Sequence, residues 1–199
     1  MGINAAQVKE LREKTGVGMM KCKEALVEAK GDIAGAEKLL RKQGVAAAAR
    51  RSGRSTGEGI VGSYVHTGGK IGVLVEVNCE TDFAARSDDF KELVRSIAMH
   101  VAAAAPRFVR REEVDEKTLA EEREIAHEQA IKAGKPEKIV DKIIEGKIQK
   151  FYTEHCLMEQ PYVKDPDKTV GELIADAVSR IGENLQIRRC VRFVLGEDD

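Results

Sequence analysis

The feature of the sequence that most constrains the fold is a predicted β-hairpin in residues 59–79. Residues 59–66 alternate between apolar and polar types as one strand, and residues 71–79 do so as the next. The residues between them, Thr-Gly-Gly-Lys, tolerate the positive φ angles of a tight turn. A hairpin with one apolar face is marginal by itself, so the rest of the chain must supply a layer that covers it.

The helical patterns in the rest of the core supply that layer. After Ser87, apolar residues from Phe90 to Val101 recur at helical spacing until Pro106, and this predicts a helix that lies across the hairpin. Further helical patterns precede and follow Pro136, and residues 160–166 are expected to be extended because they contain two prolines. A capping box at Thr169 begins another helix, which Gly182 ends.

The last strand and the first helices complete the predicted architecture. Residues 185–195 alternate as a strand that is expected to pair with the hairpin, so the core is of the α+β class with a three-stranded antiparallel sheet packed by helices. Before it, three short helical patterns begin at Asn4, Met19 and Ile33, and Gly44 is the expected stop of the third. We therefore predict a three-helix domain in residues 1–50, a basic linker in 51–58 and the α+β core in 59–199.

Composition places the chain among globular proteins that carry no membrane segment. It has 42% hydrophobic and 34% charged residues, and no apolar run is long enough for a signal peptide or a bilayer span. We therefore expect a cytoplasmic protein. The four cysteines are scattered without a CxxC pair, which indicates small buried hydrophobes rather than a zinc site or a disulfide framework.

The charge distribution is uneven although the net charge is only −1. Residues 1–55 contain 12 Lys and Arg against 6 Asp and Glu, and two of the arginines, Arg51 and Arg54, fall in the predicted linker. No aromatic residue is interleaved with these arginines to stack on bases, so we expect no direct contact with nucleic acid.

An acid and a large aromatic follow the second strand together, in the segment Thr81-Asp82-Phe83. Phe is commonly buried, so one interpretation places this ring in the core. The other is a polar loop that offers the ring to a partner. It is favoured by the charged residues around Phe83, which are Glu80, Asp82, Arg86, Asp88 and Asp89.

The sequence contains no motif of a known catalytic chemistry. It lacks a P-loop, a GxGxxG turn and an HExxH helix, and His100 has no second metal ligand near it. His155 and Cys156 are neighbours on a predicted helix, so they point to different sides of it. The pattern favours a binding protein over an enzyme, with no metal and no cofactor.

Two long segments carry a family resemblance. Residues 11–26 read Leu-Arg-Glu-Lys-Thr-Gly-Val-Gly-Met-Met-Lys-Cys-Lys-Glu-Ala-Leu, and residues 76–83 read Glu-Val-Asn-Cys-Glu-Thr-Asp-Phe. They resemble the two signature segments of the bacterial elongation factor Ts family. The resemblance implies a ubiquitin-associated-like module in residues 1–50 and a core that engages the GTPase elongation factor Tu. The family promotes guanine nucleotide exchange during translation by displacing Mg²⁺ and distorting the phosphate site.

The resemblance also implies which residues contact the partner. The segment that dislocates Mg²⁺ matches Thr81, Asp82, Phe83 and Ala84, where Ala84 stands at a position at which the family most often has Val. The other implied contacts are Arg12, Met19, Met20, His66, Ile181 and Gly182. The chain is similar to members with a single core motif and no coiled-coil insertion, which work as homodimers. The alternative is a ubiquitin-associated-type adaptor for a helical partner or RNA, without exchange activity, but it leaves the Thr81-Asp82-Phe83 segment unexplained.

Overall fold

The computed structural model describes residues 3–197, which form eight α-helices and five β-strands. The helices are α1 (Ala5–Thr15), α2 (Met19–Glu28), α3 (Ile33–Arg51), α4 (Asp82–Arg86), α5 (Asp88–Ala104), α6 (Glu116–Lys132), α7 (Glu137–His155) and α8 (Val170–Ile181). The strands are β1 (Glu58–Val65), β2 (Ile71–Cys79), β3 (Pro161–Tyr162), β4 (Asp165–Thr169) and β5 (Gln186–Val194). Within the described residues, no helix combines the length and apolar character needed to cross a bilayer.

The predicted α+β class is confirmed. The main sheet is antiparallel with the strand order β1-β2-β5, so the last strand pairs with the hairpin as expected. The segment around Pro161 and Pro166 is extended, and it also forms a second sheet that the sequence did not indicate. There β3 pairs with β4 in antiparallel fashion, with Pro161 opposite Thr169 and Tyr162 opposite Asp165.

By its internal contacts the chain divides into two compact units. The first contains the residues up to Gly62 together with Val75–Ser96 and Glu172–Arg188. The second contains Ser63–Leu74, Ile97–Gly171 and the residues from Arg189 onward.

The three N-terminal helices share a hydrophobic cluster in the first unit. Its buried members are Val8, Leu11, Val17, Cys22, Ala25, Leu26, Ala36 and Leu40. Asn4 and Gln7 form a capping box at the start of α1, where Asn4 N donates to Gln7 Oε1 at 3.1 Å and Asn4 Oδ1 also accepts from Ala6 N at 3.0 Å. Asp32 caps α3 in a similar way by accepting from the backbone N–H groups of Ala34 and Gly35.

The prediction that Gly44 ends the third helix is wrong. Helix α3 continues to Arg51, and Gly44 is buried within it. A Cβ atom at this position would lie 3.6 Å from the carbonyl oxygen of Ala175 in α8. This is an ordinary contact distance, so Gly44 simply packs against α8, and this packing together with the following alanines outweighs the roughly 1 kcal/mol that glycine costs inside a helix.

Helix α5 lies against the hairpin in the first unit, as its apolar stripe predicted. A Cβ atom on Gly62 of β1 would lie only 2.3 Å from Val94 Cγ1, so only glycine allows this approach of helix to strand. Along the same stripe, Phe90 is fully buried and Leu93 nearly so. The contact fixes the helix over the strands that lead to the segment around Phe83.

His100, in the second unit, is a structural residue with both ring nitrogens in hydrogen bonds. It is fully buried, its Nε2 lies 2.9 Å from Gln160 Oε1, and its Nδ1 accepts from Val163 N at 3.3 Å. Because Nδ1 is the acceptor, Nε2 carries the proton, and burial lowers the pKa of His100 below its ordinary value. In residues 3–197 there is no group of three or more His, Cys, Asp or Glu side chains that could hold a metal ion.

Candidate functional site

The segment that follows β2 is the first turn of a short helix rather than the predicted loop. Thr81 is the N-cap of α4, and its Oγ1 accepts from Ala84 N at 3.2 Å. The carbonyl of Thr81 also accepts from Ala85 N at 3.2 Å. The turn therefore has a defined conformation, which a loop of small polar residues would lack.

This turn presents Asp82 and Phe83 to solvent. The Phe83 side chain is 86% exposed, so the interpretation that places its ring in the core is excluded. Asp82 is exposed too and forms an ion pair with Arg86 at 2.8 Å, one helical turn later. The next residue, Ala84, is buried and packs beneath the turn. An exposed aromatic ring on an ordered turn is suited to insertion into a partner.

A carboxylate from a distant part of the chain holds the turn. Glu183 Oε2 accepts from Glu80 N and from Thr81 N, both at 3.0 Å, and Glu183 Oε1 accepts from Thr81 Oγ1 at 2.6 Å. Hydrogen bonds to an ionised acceptor are stronger than neutral ones. One side chain after α8 thereby fixes the backbone immediately before Asp82 and Phe83.

A second carboxylate makes the reverse connection. Glu80 Oε1 accepts from Asn184 N at 2.6 Å and lies 3.4 Å from Arg54 Nη1. The buried Asn184 amide donates to the carbonyl of Arg54 at 2.8 Å and to that of Ser52 at 3.4 Å. The backbone after α3, the start of the Thr81 turn and the backbone after α8 are therefore joined by one network, which we call the Glu80–Glu183 clasp.

Cys79 supports the turn from below. Its buried Sγ donates to the carbonyl of Thr81 at 3.1 Å. Burial raises the pKa of the Cys79 thiol, and the nearby Glu183 carboxylate raises it further. The thiol therefore remains protonated and able to donate.

The implied contacts of the N-terminal helices are exposed in the first unit. Met19 and Met20 begin α2, with 54% and 67% of their side chains exposed, and Arg12 on α1 is exposed as well. The turn between these helices lies against the end of α8, because a Cβ atom on Gly16 would be 2.6 Å from Arg180 Cδ. The turn that precedes the two methionines therefore lies against the side chain of Arg180, the residue before Ile181.

The remaining implied contacts are Ile181, Gly182 and His66, and they differ in exposure and in the unit to which they belong. Gly182 is exposed at the end of α8 with φ of +87°, a conformation that favours glycine, and Ile181 is half-buried. His66 belongs to the second unit, where it is exposed at the hairpin turn with Nδ1 3.1 Å from the Tyr64 hydroxyl.

Reasoning from the sequence missed Glu183 and Asn184. Their hydrogen bonds to the Thr81 turn span more than a hundred residues, so no local periodicity or spacing reports them. The available signal was two polar residues directly after the glycine that ends a helix, a pattern that fits any surface turn.

Comparison with known proteins identifies the same family as the two signature segments of the sequence. A family model described as elongation factor TS matches residues 8–197. The elongation factor Ts of Geobacter sulfurreducens is 60% identical over 197 residues, which cover 99% of this chain and 91% of that protein. That of Anaeromyxobacter dehalogenans strain 2CP-1 is 62% identical over 195 residues, 98% of this chain and 89% of that protein. That of Heliobacterium modesticaldum is 56% identical over 195 residues, 98% of this chain and 91% of that protein. The chain therefore belongs to the elongation factor Ts family of translation elongation factors.

Proposed function

We propose that this chain binds elongation factor Tu in its GDP form and promotes release of the GDP. The observation that carries the proposal is the exposure of Phe83 on a turn that the Glu80–Glu183 clasp holds in place. Release of a nucleotide makes and breaks no covalent bond, so the chain acts as an exchange factor and not as an enzyme. Its place of action is the cytoplasm, where translation elongation occurs.

The physical requirement is a difference in affinity. Phosphate contacts and a bridging Mg²⁺ hold a guanine nucleotide in a GTPase, so an exchange factor must bind the nucleotide-free state more tightly than the GDP state. Phe83 would enter the partner as a wedge, and Asp82 beside it would disturb the hydrogen bonds that orient the ligands of the metal. By linkage, GDP weakens the binding of this chain by the same factor by which the chain weakens GDP binding.

A second contact surface would anchor the wedge. It would consist of Arg12, Met19 and Met20 together with Ile181 and Gly182, and it is supported by the position of the Gly16 turn against the Arg180 side chain within the first unit. Ala84 would act from beneath the turn, since its side chain is buried, and His66 would contact the partner separately. We further propose that residues 1–50 act as a module with its own hydrophobic cluster, joined by residues 51–58 to the core of residues 59–199.

The experiment that tests the proposal follows fluorescently labelled GDP as it leaves elongation factor Tu in a stopped-flow instrument. Adding this chain should raise the release rate in a concentration-dependent way, and excess Mg²⁺ should oppose the effect. An adaptor that binds a helical partner or RNA through its N-terminal module would leave the rate unchanged, so the same trace decides between the two functions.

The double variant Met19→Ala/Met20→Ala is expected to weaken binding to elongation factor Tu about tenfold or more. Both side chains are mostly exposed, so the lost contact area belongs to the interface and not to the core. Titration calorimetry with nucleotide-free elongation factor Tu measures the affinity. At a saturating concentration of the variant, the release rate should return to that of the parent, because the wedge is intact.

Val27→Ala is the matched control for the methionine variant. Val27 is 58% exposed on the same helix but is not among the implied contacts. Its substitution should leave the affinity unchanged. Equal affinities for the double variant and the parent chain would remove the N-terminal helices from the interface.

We also expect the chain to form a homodimer through the open face of the main sheet. Val65, Leu74, Val191 and Phe193 are exposed apolar residues that alternate with more buried neighbours in their strands. Light scattering at micromolar concentration should give about twice 21.8 kDa, and Phe193→Asp should shift the molecule toward a monomer. A parent chain that stays monomeric both alone and with its partner would contradict the assignment.

A further inference from the structure

We propose that Glu183 is a positioning residue for nucleotide release, because it holds the Thr81 turn in the conformation that presents Phe83. This inference rests on the proposed function for its consequence, but its physical content is a property of this chain alone. Glu183 does not itself belong to the implied contact set. It acts on the partner through the direction in which the ring points.

The need for such a residue follows from the shape of α4. The helix has five residues, too few for a stable helix in isolation, and the ring of Phe83 is too exposed to be held by core packing. Ala84 and Ala85 are buried, but two small side chains give α4 little apolar contact with the rest of the unit. The orientation of the ring therefore depends on what fixes the backbone before it.

Glu183 supplies that fixation through both of its oxygens. One accepts the backbone N–H groups of Glu80 and Thr81, and the other accepts the Thr81 hydroxyl. The Thr81 hydroxyl donates a hydrogen bond to Glu183, so a lone pair of Oγ1 is free to accept from Ala84 N and to cap α4. The carboxylate thus sets both the path of the chain into α4 and the proton arrangement of the cap.

The Glu80–Glu183 clasp also fixes the backbone after Gly182 relative to the turn that carries Phe83. Asn184 N donates to the Glu80 carboxylate, so the backbone after Gly182 is held by the same pair of residues that holds the turn before Phe83. If the clasp opens, Phe83 loses its fixed relation to Ile181 and Gly182. Ordering a mobile ring on the partner uses up binding energy. A ring that is already held in place leaves that energy available for distorting the nucleotide site.

The first experiment measures the turn without any partner, as the hydrogen exchange of the Glu80 and Thr81 amides. Glu183→Ala should speed both amides by roughly tenfold or more, because their acceptor is lost. Glu183→Gln should have a smaller effect, since an amide oxygen still accepts. Glu92→Gln makes the same chemical change at an exposed position of α5 and should leave both amides unchanged. Unchanged protection in Glu183→Ala would overturn the inference.

The second experiment measures GDP release at saturating concentrations of each variant. Glu183→Ala should slow release by roughly tenfold in the parent chain but should add little in a Phe83→Ala background, because both changes remove the same action. A residue with a merely structural role would slow release equally in both backgrounds, and that result would overturn the inference. If Glu183→Ala melts too early to be assayed, Glu183→Gln serves in the same cycle. Should the parent chain leave GDP release unchanged, the proposed function fails, while amide exchange still decides whether Glu183 holds the turn.

Discussion

Phe83→Ala is expected to slow the release of GDP from elongation factor Tu by roughly tenfold or more, which corresponds to about 1.4 kcal/mol of lost transition-state stabilisation. The fold should hardly change. The ring is 86% exposed, so its removal opens no cavity and takes no apolar surface out of the core. The effect is predicted to fall on the rate at saturation, since the contacts proposed for α1 and α2 would still bind the nucleotide-free partner.

A melting curve and a stopped-flow trace from the same sample of Phe83→Ala measure both quantities. A large fall in melting temperature, or a normal release rate in a folded protein, would remove Phe83 from the mechanism. Asp82→Ala should act in the same direction, and the two substitutions together should cost less than the sum of their separate effects if both serve one displacement of Mg²⁺. The ion pair of Asp82 with Arg86 is exposed and within one short helix, so its loss should contribute little to stability.

Much of the fold could be predicted because its signals are local. The capping box at Asn4, the glycine turn of the hairpin and the apolar stripe that begins at Phe90 each specify one element by residues only a few positions apart. Pairing of β5 with the hairpin followed from the general rule that a strand needs a neighbour. These elements agree with their predicted bounds to within a few residues.

Gly44 shows where local reasoning fails. A glycine after a helical pattern either ends the helix or lies within a longer one, and the two cases look the same in a sequence. In α3 the glycine is buried and packs against Ala175, which belongs to a helix far along the chain. Tertiary packing thus determined the length of α3.

The candidate site divides in the same way. Phe83 and its charged neighbours could be identified from the sequence, but whether the ring was buried or exposed could not, because residue type and polar surroundings favoured opposite answers. Glu183 gave only the signal of an ordinary surface turn, since its hydrogen bonds reach a backbone about a hundred residues away. The sequence therefore identified the exposed residue Phe83 but not Glu183, which holds the turn before it.

Phe90→Ala is expected to have the largest effect on stability, a loss of about 3–5 kcal/mol in the free energy of unfolding. Phe90 lies seven residues after Phe83 and is fully buried on α5, so the same substitution creates a cavity here and none there. For a chain of this size such a loss lowers the melting temperature by about 10 °C. Urea titration measures it, and the slope of the transition should stay constant if the denatured state is unchanged.

The functional consequence should be the reverse of that for Phe83→Ala. Below its melting transition, the folded fraction of Phe90→Ala should promote GDP release from elongation factor Tu at nearly the parent rate, because a fully buried ring makes no contact with a partner. Phe90→Leu keeps most of the volume and should cost less than about 2 kcal/mol, which separates the cavity from the loss of the aromatic ring. If Phe90→Ala were instead stable but slow in promoting GDP release, the position of the first turn of α5 would have to affect α4. Phe83 and Phe90 would then belong to one mechanism.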